Sequence, residues 1–158
     1  MRRFLKYWLP LLIWLGVIFV GSTDLLSAQH TSRFIAPFLR WLDPGISWAA
    51  INTIHTVIRK LGHVSEYAIL AVLLWRALYS GTALRTKTPI LFGAVLLACA
   101  VFAVGDEFHQ SFVQSRTSSG RDVLLDGAGA FLGALIALAF SQRVKQTNAR
   151  SKLVDARS

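Results

Sequence analysis

Four stretches of this chain, residues 5–21, 67–79, 89–105 and 123–140, are nearly free of charge, and that feature excludes most folds. Hydrophobic residues make up 54% of the chain against 16% charged, with a mean hydropathy of +0.50. A soluble domain is far more charged and spreads its apolar residues. A helix needs roughly 17–25 apolar residues to cross the hydrocarbon core of a bilayer. The first, third and fourth stretches approach that length alone. The second reaches it if it begins near Leu61, which places His63 and Glu66 in its first turns. The expected fold is therefore all-α, a polytopic bundle of four transmembrane helices. Residues 1–142 are expected to form one membrane domain and residues 143–158 a basic, disordered cytoplasmic tail.

The basic start Met1-Arg2-Arg3 also suits a signal peptide, but GSTDLLSAQ offers no A-x-A cleavage site, so the first stretch is expected to remain as a span. Basic residues set the orientation. With the N-terminus inside, the inner segments hold Arg2, Arg3, Lys6, Arg76, Arg85 and Lys87, and further cations from Arg143 to Arg157, against the single acid Asp155. The outer segments hold Arg33, Arg40, Arg59, Lys60, Arg116 and Arg121 with all the other acids. This is the positive-inside pattern, expected for the inner membrane of a bacterium with both termini cytoplasmic. The net charge of +9 belongs to the inner face. It reads as topology and attraction to anionic lipid, so nucleic acid is not an expected partner. Cys99 is the only cysteine and lies inside the third stretch, which excludes a disulfide framework.

The connection over residues 22–59 is not an ordinary polar loop. Phe34, Ile35, Phe38, Leu39, Trp41 and Leu42 recur at helical spacing, Pro44-Gly45 interrupts them, and the pattern resumes from Ile46 to Ile58. Two short amphipathic helices lying in the outer interface satisfy this pattern, with Trp41 and Trp48 at headgroup depth. They fit it best, and a helical hairpin capping the bundle is the competing picture.

Polar residues then gather where they are least expected. Glu66, Asp106, Glu107, Asp122 and Asp126 sit in or beside the spans, at the outer end of each. Ionisable groups near hydrocarbon face the bundle interior, a partner or water, and mark sites. Lys60, His63 and Tyr67 form one stripe of the second helix, with Glu66 within reach of His63. Asp106 and Gln110 share a face of the third helix if it continues outward, with His109 close by. Asp122, Asp126, Gly129 and Gly133 form one stripe of the last helix, where the glycines permit close approach of a neighbour. The loop between these two helices brings Arg116 and Arg121. Taken singly, each residue has a plain structural reading: Lys60 snorkels, Asp122 caps a helix, and the glycines pack. Three converging polar faces favour a site.

Its chemistry has two readings. Lys60, Arg116 and Arg121, with Tyr67, Gln110, Asp122 and Asp126, suit binding of a phosphate or carboxylate. His63, Glu66, Asp106, Glu107 and His109 suit acid–base catalysis on a lipid substrate. No cofactor is expected, although the same donors suit a divalent metal. HExxH and GxSxG are both absent, and a transporter role has no internal repeat to support it.

Lys60-x2-His63-x3-Tyr67, Asp106-Glu107-x-His109-Gln110-x-Phe112, Arg116-x5-Asp122 and Gly129-x3-Gly133 together resemble the VanZ-like family of integral membrane proteins. The resemblance runs from the first span to about Phe140. Gln114-Ser115 stands where the family usually has Pro-Gly, and Asp126 where it usually has Asn. The resemblance implies a small bacterial membrane protein with an envelope function. The family's namesake lowers susceptibility to the glycopeptide teicoplanin, so a membrane lipid, a lipid-linked envelope precursor or the lipid-anchored drug is the implied partner. The orientation makes a direct prediction. A reporter inserted at Gln114 is reached from outside the cell and one inserted at Ser80 from the cytoplasm; a cytoplasmic signal from Gln114 overturns the assignment.

Overall fold

The computed structural model describes residues 2–23, 28–82, 84, 87–113 and 119–155, and within them every regular element is a helix. The helices are α1 (Arg2–Ser22), α2 (Ala28–Leu42), α3 (Trp48–Gly81), α4 (Thr88–Gln110) and α5 (Gly120–Asp155). Three of them are long and apolar enough to cross a membrane, over Phe4–Ser22, Thr88–Gln110 and Gly120–Thr147. The expected second span lies inside α3. It is not among those three, and His63, Glu66 and Arg76 lie along it.

Local chemistry sets the boundaries. Asp43 ends α2 through its carboxylate, which accepts the Gly45 amide at 2.9 Å, while Pro44 prevents the helix from continuing. Ser47 then caps α3, its hydroxyl accepting the Ala50 amide at 3.2 Å. Pro89 sits in the first turn of α4, where its missing amide costs nothing. No proline interrupts α3 after Ser47. It therefore runs as one helix of 34 residues, about 50 Å at 1.5 Å per residue. The anticipated break between a short interfacial helix ending near Ile58 and a span starting near Leu61 does not exist. Gly62 alone is too weak to end a helix, at about 1 kcal/mol against alanine. The tail expected to be disordered is also helical as far as Asp155, since residues 141–155 contain no glycine or proline. The extra length of α3 forms a hairpin with α2, held where Thr31 Oγ1 and His55 Nε2 share a hydrogen bond of 2.8 Å and Arg40 lies over the Trp48 ring at 4.1 Å. Of the two pictures that fit the connection, the helical hairpin is the one observed.

α3 is the axis of the bundle and touches each of the other helices. α1 runs antiparallel to it: Trp14 donates to the Glu66 carbonyl at 3.0 Å and Arg76 to the Lys6 carbonyl at 3.3 Å. α4 buries one stripe, Leu91, Val95, Cys99, Ala103, Glu107 and Gln110, and turns its other faces outward. Leu97, Val101, Val104 and Phe108 on α4 are exposed, as are Leu132, Ile136 and Phe140 on α5. That arrangement suits a molecule whose solvent is lipid.

α3 and α5 run parallel and very close. A Cβ placed on Gly129 would fall on the Val64 carbonyl, and one on Gly133 on the Ala68 carbonyl. Ala71, Ala130 and Ala134 continue the small-residue seam and are fully buried. Without a hydrophobic drive between helices in lipid, such approach supplies packing and weak polar contacts directly. Gly133→Leu is therefore expected to destabilise the bundle by about 3 kcal/mol or more, since overpacking costs roughly 1–3 kcal/mol even where side chains give way. Gly93→Leu, whose Cβ meets nothing within 4 Å, should be neutral; thermal unfolding of the two variants in detergent measures the difference.

Candidate functional site

The parallel seam carries a polar ladder at one end. Arg59 Nη2 donates to Asp122 Oδ2 at 2.9 Å, and one turn deeper His63 Nδ1 meets Asp126 Oδ1 at 3.0 Å. The four-residue steps from 59 to 63 and from 122 to 126 keep the rungs in register. Below them come the Gly129 and Gly133 contacts, and near the far end Trp75 Nε1 donates to Ser141 Oγ at 3.0 Å. The side chains of the inner rung are 7% and 0% exposed, those of the outer rung 26% and 12%. A buried ionisable pair of this kind survives only when each partner is hydrogen-bonded.

Beside the ladder lies a cavity of about 140 Å³. Its α3 wall is Arg59, Gly62, His63 and Glu66, with His55 and Ile58 above. Ser22 ends α1 opposite, and Asp106 and Gln110 contribute from α4. Ser22 Oγ donates to the Asp106 carboxylate, and Gln110 Nε2 donates to Asp106 Oδ2 at 2.9 Å. Thr31 and Ile35 of α2 close the top, so the hairpin acts as the roof. The space is large enough for several waters or the polar tip of a ligand.

Of the residues singled out in the sequence, His63, Glu66, Asp106 and Gln110 meet in this cavity. Asp122 and Asp126 stand behind its α3 wall as the partners of Arg59 and His63. Tyr67 lies one turn below His63, fully buried. Together with His109 and Asp106 it lines a separate groove between α1 and α4. Glu107 is turned away from both spaces: its Oε2 accepts the Ser119 amide at 2.7 Å and ties the end of α4 to the start of α5. Lys60 and Arg121 are exposed and line neither space, and Arg116 lies outside the described residues. Among the described residues, no three histidine, cysteine or carboxylate side chains gather closely enough to hold a metal ion.

Sequence reasoning passed over Arg59, Ser22, Thr31 and His55. Arg59 carried a readable signal, because it precedes His63 by the same four residues that separate Asp122 from Asp126. The other three come from the hairpin and from the end of α1, whose proximity no local pattern encodes.

Chemically, the ladder presents two preoriented donors. Asp126 holds His63 by Nδ1, which leaves Nε2 as the ring nitrogen for the cavity that His63 lines. Asp122 occupies part of the Arg59 fork and leaves further N–H donors. Several buried polar atoms have no hydrogen-bond partner among the described residues: Tyr67 Oη, Glu107 Oε1, His109 Nδ1, Gln110 Oε1 and Asp126 Oδ2. Such atoms are rare in a finished core and cluster where a ligand or water completes the set. Asp126→Ala strips His63 of its partner. It is expected to cost about 1–3 kcal/mol of bundle stability, with Asp126→Asn recovering most of it; denaturant titration in micelles reads both.

A family model described as VanZ/LLP1 matches residues 7–141, which takes in every residue that lines the cavity or forms its ladder. No curated protein and no solved structure matches the chain.

Proposed function

Because the chain belongs to the VanZ/LLP1 family, we propose that it is a bacterial inner-membrane protein that binds the anionic headgroup of an envelope lipid or lipid-anchored glycopeptide. The cavity beside the Arg59–Asp122 and His63–Asp126 ladder is the observation that carries this reading. In this proposal four helices span the bilayer. α3 crosses with the others despite its polar positions, because α1, α4 and α5 pack around it and His63 and Tyr67 are buried within the bundle. Both termini are cytoplasmic and the polar end faces outward, as the Lys and Arg distribution favours. Antibiotic susceptibility is then one consequence of engaging envelope lipid.

Binding is favoured over general ion attraction because the donors are held in place. Arg59 is clamped by Asp122, and His63 by Asp126, so little side-chain entropy is lost on contact. Lys60 and Arg121 follow Arg59 and precede Asp122 in sequence, adding two exposed cations at the same level that draw an anion to the mouth. Glu66 on the α3 wall and Asp106 on the facing wall accept hydrogen bonds from hydroxyl groups of the same headgroup.

A second reading rests on a specific arrangement. An imidazole fixed through Nδ1 by a buried carboxylate, with the other nitrogen toward a cavity, is the geometry of a general base. It would serve a hydrolase acting on a lipid. Of the five residues suited to catalysis, only His63, Glu66 and Asp106 share the cavity, which makes the binding reading the stronger.

Arg59→Ala is expected to weaken binding of dihexanoyl phosphatidylglycerol to the purified protein about tenfold, which is the loss of one charge-assisted contact worth roughly 1.4 kcal/mol. Unchanged affinity in that variant sinks the anion site. The enzyme reading requires product release by the wild type that disappears in His63→Ala while lipid binding survives.

A further inference from the structure

We propose that the groove between α1 and α4 receives the acyl chain of the ligand, which slides in sideways from the bilayer and places its acyl carbonyl against Tyr67. The idea rests on the headgroup reading above and extends it to the other half of the molecule bound. Among the pairs of helices that touch, α1 and α4 have the sparsest contact. Between them runs a groove of about 440 Å³, within the roughly 300–1,000 Å³ typical of ligand sites. Its walls are Leu15, Ile18 and Phe19 on one side and Val101 and Phe102 on the other. Phe19, Val101 and Phe102 are exposed toward the surroundings of the bundle, so the groove opens where lipid tails lie.

The polar end of the groove selects the occupant. Tyr67 is 0% exposed and forms part of the lining, yet its hydroxyl has no hydrogen-bond partner among the described residues. His109 Nδ1 is also unpartnered there, while the His109 ring packs against Phe19 at 5.0 Å between centroids. A buried hydroxyl without a partner is costly, and a hydrocarbon chain alone would leave it so. An acyl carbonyl at the root of the chain accepts from the Tyr67 hydroxyl and removes that cost. A polyprenyl phosphate has no polar atom between its chain and its phosphate, so it leaves Tyr67 unsatisfied. Asp106 lines both the groove and the polar cavity. Chain and headgroup therefore sit on either side of one carboxylate, the headgroup end under the hairpin roof and the chain end open to the membrane.

Gly105 makes the proposal testable without disturbing the fold. It lines the groove, and a Cβ added there meets nothing within 4 Å. The full chain in detergent is photolabelled with a phosphatidylglycerol whose acyl chain carries a diazirine, and labelled peptides are identified by mass spectrometry. Label is expected on α1 and α4 at the groove walls. Gly105→Leu should reduce it about tenfold, while Gly16→Leu, equally open but outside the groove, leaves it intact. Tyr67→Phe should erase the preference for this probe over a diazirine polyprenyl phosphate. Label spread evenly over the bundle, label undiminished by Gly105→Leu, or equal labelling of wild type by both probes overturns the proposal. Glycerol phosphate separates the two claims. If it binds the wild type and Gly105→Leu alike while groove labelling fails the test above, the headgroup site stands and the acyl groove falls. If groove labelling passes the test but glycerol phosphate does not bind, the anion site falls and the groove stands.

Discussion

The distance between α3 and α5 is the constraint from which the rest of the molecule follows. Gly129 and Gly133 let the α5 backbone settle against the carbonyls of Val64 and Ala68, where any side chain would collide. Two helices held that close along one seam must share a register, and here the register is parallel. The same stripe that carries the glycines carries Asp126 and Asp122 one and two turns earlier, so close packing below forces the acids against α3 above. Arg59 and His63 meet them there. The polar ladder is thus a consequence of the apolar seam, and its cost is offset by the contacts the seam makes.

A membrane bundle that buries ionisable groups needs a reason for them, since leucine at the same positions would pack well in lipid. The ladder turns that cost into orientation. Each basic side chain is pinned by a carboxylate behind it and faces a cavity in front. The roof over that cavity comes from the long α3, whose first turns form a hairpin with α2 through the Asp43-Pro44-Gly45 turn. Glu107 works outside the cavity. By accepting the Ser119 amide it fixes where α5 starts, and so which residues of α5 enter the seam.

Much of the fold was legible from the chain itself. Four apolar stretches implied a helical membrane bundle, and Gly129-x3-Gly133 with Asp122 and Asp126 implied a face turned toward a neighbour. The meeting of His63, Glu66, Asp106 and Gln110 followed from polar residues at one depth. Other features were not legible for identifiable reasons. Lys60 and Arg59 both lie within a turn of His63, and periodicity of 3.6 residues does not choose between i−3 and i−4; the position of α5 does. His109 and Glu107 belong to the same short motif as Asp106, yet a helix points neighbouring residues in different directions. One therefore faces a groove and the other a loop, while Asp106 faces the cavity.

By itself the sequence determined the class of solvent, the three long apolar helices, and the ends at which charge collects. These are properties of transfer free energy and helical periodicity, which act residue by residue. Only the tertiary structure decided that α3 is continuous through Gly62, that α2 folds over it, and that Arg59 rather than Lys60 meets Asp122. It also decided that Tyr67 looks into a groove between α1 and α4. Those outcomes depend on which helices are neighbours, and neighbour choice is set by backbone approach at a few glycines and alanines whose partners lie more than sixty residues away.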